Sequence, residues 1–302
     1  MPSSQWFKGN THTHTDASDG DAPLDEVAGW YQSHGYDFLV ITDHNRVTDI
    51  SGWSGDRGAL LLVPGCEVSL SSEGKPVHIN CLGSTTLPDL SPAATIAASL
   101  QRGVDAVRAV GGVPQINHPN FKWAFADDHL RAVTNYRLLE VFNGSTDCNN
   151  HGGGGHPGVE EIWDRLLTAG QRIWAVASDD AHDLHGEIWE DLSPPGRAWV
   201  MVRAEAKSAR AILQAMEHGQ FYASTEIAIA DMETTPGVTT LRITQERDYR
   251  YTTRFIGAGG QTLAVAHGLE AAYRPRGHEG YVRASVASSN GGAAWTQPQF
   301  LR

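Results

Sequence analysis

Cysteine is scarce in this chain of 302 residues. The thiols Cys66, Cys81 and Cys148 are too few and too scattered for a disulfide framework or a zinc knuckle, and a reducing cytoplasm is the expected compartment. Positive charge is scarce as well. Lysine and arginine total 23 against 35 aspartates and glutamates, a net charge of −12. That balance excludes a general nucleic-acid binder, which needs a basic stripe. Carboxylates that hold cations would account for part of the excess, since a formal sum counts them bare. No apolar run is long enough to span a membrane, and the opening MPSSQWFKGN lacks the charged and apolar regions of a signal peptide. Internal repeats and low-complexity tails are missing too. The expectation is a cytoplasmic protein without a membrane partner, and its 40% hydrophobic residues can bury a sizeable core.

What the chain has in excess is histidine, fourteen in all. The stretch NTHTHTDASDGDAP at 10–23 sets His12 and His14 one residue apart, so in a strand both imidazoles face one side. By itself the pair also suits a polar turn. From the start to about residue 225, short apolar runs alternate with helical patterns, as β/α units do. Strands are predicted at 38–44, 60–68, 77–83, 113–119, 138–144, 173–182 and 198–203. Helices are predicted at 21–35, capped by Asp21 and closed by Gly35, and at 158–170 and 207–219. From about 229 onward apolar and polar residues alternate without a helical pattern. That texture predicts a small antiparallel β unit packed on the first domain, with the boundary between 1–228 and 229–302.

Nearly every strand of the first part ends in a side chain able to hold a metal. His12 and His14 are followed by Asp19; later come His44, Glu67, His78 and His118, and finally Asp179 and His182. In β/α barrels the loops after the strands converge on one face, so these groups would meet. Taken singly, Asp43 and Asp180 suit turns or caps, His44 a helix cap, and His118 a loop. Taken together, independent turn residues would not choose His, Asp and Glu strand after strand, and a metal cluster is the expected reading.

The motifs HTHTDASDG, TDH, GCEV, INHP and SDDAH, in that order over residues 6–225, resemble the polymerase-and-histidinol-phosphatase (PHP) superfamily of metal-dependent phosphoesterases. LLEVFNG, EEIWDRLLTAG, VASDDAH, GQFYAS and AAWTQP are similar to its CehA/McbA-type branch, whose members carry a C-terminal β-rich segment. The resemblance implies an α/β fold: a distorted (β/α)7 TIM-like barrel of PHP type over 1–228, with a small C-terminal antiparallel β domain, sandwich-like, over 229–302. It implies three metal ions. His12, His14, Glu67 and Asp179 would hold the first, Glu67, His78 and His118 the second, and Asp19, His44 and His182 the third. Manganese, iron or zinc suits such mixed ligation, and two or three divalent transition metals are the expected cofactors.

Two cations sharing Glu67 would share a water and acidify it, so a bridging hydroxide is the expected nucleophile. His185 is a candidate leaving-group acid. Arg197 and His156 are candidates for phosphate contact, Arg197 foremost because a guanidinium forks onto phosphate oxygens. Glu140 and Asn143 end a strand on the same face, as supports of the ligands or as substrate contacts. The activity expected is a phosphoesterase acting on a small phosphorylated metabolite or nucleotide. Carbamate or carboxyl ester hydrolysis of the McbA type is the alternative, and a non-catalytic metal-bound structural module is a third reading. Turnover on an ester panel with metal bound separates them.

Overall fold

The computed structural model describes residues 4–185, 193–235 and 237–301. Up to residue 224 the elements are β1 (Gln5–Asn10), α1 (Leu24–Ser33), β2 (Phe38–Val40), β3 (Leu61–Val63), β4 (Gly65–Ser72), β5 (Lys75–Leu82), α2 (Ile96–Ala109), β6 (Val113–Ile116), α3 (Asp127–Arg131), β7 (Leu138–Asn143), α4 (Val159–Thr168), β8 (Trp174–Ser178), β9 (Trp199–Ala204), α5 (Ala209–Glu217) and β10 (Phe221–Ser224). Thr95 caps α2 and Ser208 caps α5, each hydroxyl accepting from the N–H three residues on. α1 has no side-chain cap, and Asp25 and Glu26 face the positive end of its dipole. Asp21, expected as its cap, instead accepts from the N–H groups of Leu184 and His185 at 2.7 and 2.9 Å.

One sheet runs β4-β5-β6-β7-β8. Its first three strands are antiparallel, and β6, β7 and β8 are parallel. In a second sheet β1, β2 and β3 are parallel, β9 lies antiparallel to β1, and β10 antiparallel to β9. The fold is mixed α/β as expected, but among the described residues the strands form no closed barrel. Two local features break the β/α repeat. Pro64 cannot donate to a ladder and splits the run predicted as one strand at 60–68 into β3 and β4. Glu73 and Gly74, both at positive φ (53° and 72°), make the two-residue turn of the β4–β5 hairpin where a helix would stand in a β/α unit. The two sheets touch through single parallel bridges, Thr13 to Ala181 and His44 to Glu67. That seam is where the ligand-type side chains lie.

The chain continues with β11 (Ile229–Thr235), β12 (Val238–Ile243), β13 (Tyr251–Gly257), β14 (Gln261–His267), β15 (Glu270–Tyr273), β16 (Tyr281–Ser288), β17 (Ala293–Thr296) and β18 (Gln299–Phe300). β11, β12 and β15 form a separate antiparallel sheet, whereas β17 pairs with β10 and carries β16, β13 and β14 onto the second sheet. Trp295 of β17 is buried in one core cluster with Trp163, Ala177 and Ala198. Beside it, fully buried Arg283 of β16 donates from Nε and Nη2 to Asp164 of α4, at 2.8 and 2.6 Å, and from Nη1 to Glu160 at 2.8 Å. Among the described residues no helix is long and apolar enough to cross a membrane.

Candidate metal centre

Past β1 the chain is stapled by Asn10. Its amide donates to the His12 carbonyl at 2.8 Å and to Tyr31 Oη at 3.0 Å, and its oxygen accepts from Asp179 N–H at 2.9 Å. So held, His12 and His14 present their buried rings to one side, with centroids 5.2 Å apart.

Glu67 of β4 stands at the middle of the cluster, 1% exposed. Its Oε1 lies 3.3 Å from His12 Nε2, 3.2 Å from His78 Nδ1 and 3.3 Å from His118 Nε2. Its Oε2 lies 2.9 Å from His44 Nδ1 and 3.6 Å from His14 Nε2. One carboxylate therefore faces two sets of imidazoles, one set per oxygen. Asp19, on the loop after β1, closes the outer side: His44 Nε2, His182 Nε2 and His14 Nδ1 are 3.3, 3.4 and 3.6 Å from its oxygens.

The last carboxylate is Asp180, not Asp179. Asp180 Oδ1 is 3.0 Å from His12 Nε2 and 3.1 Å from His14 Nε2. The expectation for Asp179 is corrected by its own hydrogen bonds: it accepts from Tyr31 Oη at 2.7 Å and from the N–H groups of Gly196 and Ala198 at 2.9 and 2.7 Å, away from the cluster. Neighbours in extended chain point to opposite sides, and a left-handed φ of 52° at Asp180 completes the swing. His118, at φ 22°, and Asn45, beside His44 at φ 51°, share that rare conformation. Such strain collects at functional sites. The structure thus brings together His12, His14, Asp19, His44, Glu67, His78, His118 and His182 from the predicted set, adds Asp180 and leaves Asp179 out.

The donor set fits metal ions. His12 Nε2, Glu67 Oε2 and His78 Nδ1 are buried, lack hydrogen-bond partners and are directed into the cluster. Leaving such atoms unsatisfied is costly unless something binds them. The charges alone hold the cluster as a proton store. Burial opposes ionisation of Glu67, yet the imidazoles of His12 and His78 keep its carboxyl well below the usual range. Burial likewise opposes protonation of His44, but Asp19 and Glu67 push it up to about 10. Against the same opposition Asp19 and Asp180 push His182 up to about 9. His14 goes the other way, to about 4, by burial and the nearness of His182.

A second layer fixes these ligands. Glu140, fully within the protein, accepts from His118 N–H at 2.8 Å and from Asn143 Nδ2 at 2.8 Å, and sits 3.0 Å from His12 Nδ1. That contact sets the tautomer and leaves His12 Nε2 facing the cluster. Asn117 Nδ2 donates to Glu67 Oε1 at 2.8 Å, and Asn143 Nδ2 donates to Asp180 Oδ2 at 3.0 Å. Asp43 accepts from Thr15 N–H, Ser18 Oγ and Thr48 Oγ1, the turn role its sequence allowed.

The cluster lines a cavity of about 200 Å³, completed by Phe121, Ser145, Asp147 and Cys148. Ser145, Asp147 and Cys148 belong to the loop after β7, where Ser, Asp and Cys carry no periodic signal that would assign them to the cavity. His185 does not line the cavity: Asp21 holds its backbone and its ring pairs with Glu26 at 3.0 Å on the surface. The exposed His156 stacks on Trp123, centroids 4.6 Å apart, and lines neither this cavity nor the one beside it. Arg197 and Asn143 line the adjoining cavity, where Arg197 Nη1 donates to the Gly144 carbonyl at 2.8 Å.

No family model matches the sequence, and no curated protein matches it. Solved structures do. A two-domain protein from Bacteroides vulgatus, containing a predicted PHP-like metal-dependent phosphoesterase, is 14% identical, with a TM-score of 0.55 over 98% of this chain and 96% of that one. A candidate metal-dependent phosphoesterase from Bifidobacterium adolescentis is 16% identical, with a TM-score of 0.42 over 62% of this chain and 92% of that one. An amidohydrolase from Chromobacterium violaceum, with sulfate and no metal, is 16% identical, with a TM-score of 0.41 over 61% and 89%. Over nearly its whole length the chain has the fold of the two-domain PHP-like protein, the superfamily its motifs resemble.

Proposed function

We propose that the protein is a metal-dependent hydrolase cleaving phosphoric esters of small metabolites. The observation that carries this reading is Glu67, buried, with each oxygen facing its own set of imidazoles. His12 and His118 with Glu67 would hold one ion, His44 and His78 with Glu67 a second, and His14, Asp19, His44 and His182 a third, with Asp180 grouped beside His12 and His14. Manganese, iron or zinc matches these donors. Bound ions supply hydroxide near neutral pH and positive charge for a phosphoryl oxygen. The chain's own part is positioning. Glu140 aims His12, Asn143 aims Asp180, and Arg197 lines the adjoining cavity. The shared fold with the PHP-like protein of B. vulgatus favours phosphoric esters over the carbamate or carboxyl esters that the CehA/McbA-type motifs allow.

The test is Glu67→Gln, which removes the shared charge and weakens both inner ions together. Metal content should fall, and kcat on nitrophenyl phosphate should drop by roughly a hundredfold or more. Full metal content with near-normal turnover in this variant refutes the bridging role. Hydrolysis of carbamates and carboxyl esters but not phosphate esters by the wild type moves the activity to the alternative class. No turnover on any ester with metal bound leaves a structural module.

A further inference from the structure

The metal cavity, at about 200 Å³, has room for ions and a single reacting group. The body of a substrate must lie outside it, since small-molecule sites usually span about 300–1,000 Å³. A second cavity of about 600 Å³ adjoins it, and Ser145 lines both. One wall comes from the loop after β7, with Thr146 and Asn149, and from Arg197. The lining also takes in Thr225, Glu226 and the β16–β17 turn at Asn290.

That turn is built to stay in place. Thr225 N–H donates to the Ala293 carbonyl at 2.9 Å, Ala293 N–H returns to Thr225 Oγ1 at 2.8 Å, and Ser288 N–H donates to the Gly292 carbonyl at 2.9 Å. Asn290 Nδ2 donates to the Glu226 carboxylate. Gly291, at φ 100°, allows the turn, and a Cβ on Gly292 would meet Ser288 Oγ at 2.9 Å. A rigid rim of this kind spares a ligand the cost of ordering it.

We infer that this cavity is a subsite for the hydroxyl-rich, uncharged body of the substrate, a sugar phosphate, and that Glu226 and Asn290 of the C-terminal part recognise its hydroxyls. The inference rests on the phosphoesterase reading above. Carboxylate and carboxamide oxygens accept from hydroxyls, and Thr146 and Asn149 offer donors and acceptors of the same kind. Among the described lining residues, aromatic rings that could carry a nucleobase are limited to Phe142 and His151, set edge-on to each other with centroids 6.2 Å apart. The only carbocyclic aromatic side chain among the described lining residues is Phe142, whose ring is occupied against Trp295 at 5.8 Å. A polyanionic body is disfavoured too, because among the described lining residues Arg197 is the only arginine or lysine and Glu226 faces the same space.

The experiment compares metal-loaded full-length protein on a panel of hexose and pentose monophosphates and on cyclohexylmethyl phosphate, an ester of similar size without hydroxyls. Binding of the preferred sugar phosphate is measured by calorimetry alongside. The wild type should favour the best sugar phosphate by about tenfold or more in kcat/KM, because a site built to bond hydroxyls rejects the analogue lacking them. Glu226→Ala and Asn290→Ala should shrink that ratio about tenfold, mainly through KM, and weaken calorimetric binding in step. Turnover of both esters with no preference, or equal losses on both in the variants, overturns the subsite and leaves the hydrolase reading standing. If neither ester is hydrolysed but sugar phosphate binds and Glu226→Ala weakens it tenfold, the subsite stands and the hydrolase reading falls. If neither ester is hydrolysed and no sugar phosphate binds, both fall.

Discussion

Loss of Arg283 should cost this fold heavily. Its guanidinium is fully buried, forks onto Asp164 at 2.6 and 2.8 Å, reaches Glu160 at 2.8 Å and lies 4.6 Å over the Trp163 ring. Tyr281 Oη donates to the same Asp164 carboxylate at 2.7 Å. Arg283→Met keeps much of the volume but strands one buried and one half-buried carboxylate. Removing one member of a buried ion pair costs about 3–5 kcal/mol, because the remaining charge stays desolvated. Loss of the cation–ring contact adds roughly 0.5–2 kcal/mol. With an unfolding entropy of about 2.1 cal/mol/K per residue, this chain of 302 residues shifts its Tm by about 1.5 °C per kcal/mol, so a drop of roughly 5–10 °C is expected. Calorimetry on the full chain is the assay, run at low and high salt. The loss should barely change with salt, since a buried pair is poorly screened. The triple variant Glu160→Gln, Asp164→Asn, Arg283→Met should regain much of the loss, as neutral partners carry no stranded charge. A single-variant Tm within about 2 °C of wild type, or a triple variant no better than the single, refutes the reasoning.

The metal cluster was legible because its chemistry is written in residue types that serve few other purposes in such numbers. His12 and His14 share a face by strand periodicity alone, and the structure keeps them together. Closure was not legible. Whether β1–β3 and β4–β8 join into one barrel depends on Pro64 and on the two-residue turn at Glu73-Gly74, local details that a β/α rhythm overrides on paper. The choice between Asp179 and Asp180 was also hidden. Adjacent aspartates differ only in the side of the strand they take, and a positive φ at the second settles it. His185 misled for the opposite reason: near in sequence to His182, it is drawn outward by Asp21 and Glu26, groups that sequence proximity does not reveal.

Two further outcomes follow from the same geometry. Metal uptake should release protons. In the metal-free chain His44 and His182 hold protons up to about pH 10 and 9, because burial is outweighed by Asp19, Glu67 and Asp180. The sign is that of a raised pKa: the stability these groups lend the metal-free chain is complete below their ordinary value near 6.5 and is lost as pH rises through 9 to 10. Metal affinity should therefore climb with pH over that window, and at pH 8 calorimetry in buffers of different ionisation enthalpy should count about one or two protons released. No release refutes the proton store. The paired aspartates give the last test. Asp180→Asn takes a charge from beside His12 and His14 and should lower metal affinity about tenfold or more. Asp179→Asn should leave metal affinity near that of the wild type. That carboxylate accepts from Tyr31 Oη and from two backbone N–H groups, and an amide nitrogen placed there would face a donor and leave it buried and unpaired. The cost is about 1–3 kcal/mol of stability, read as a lower Tm with metal content unchanged. If Asp179→Asn strips the metal and Asp180→Asn does not, the assignment of the cluster is overturned.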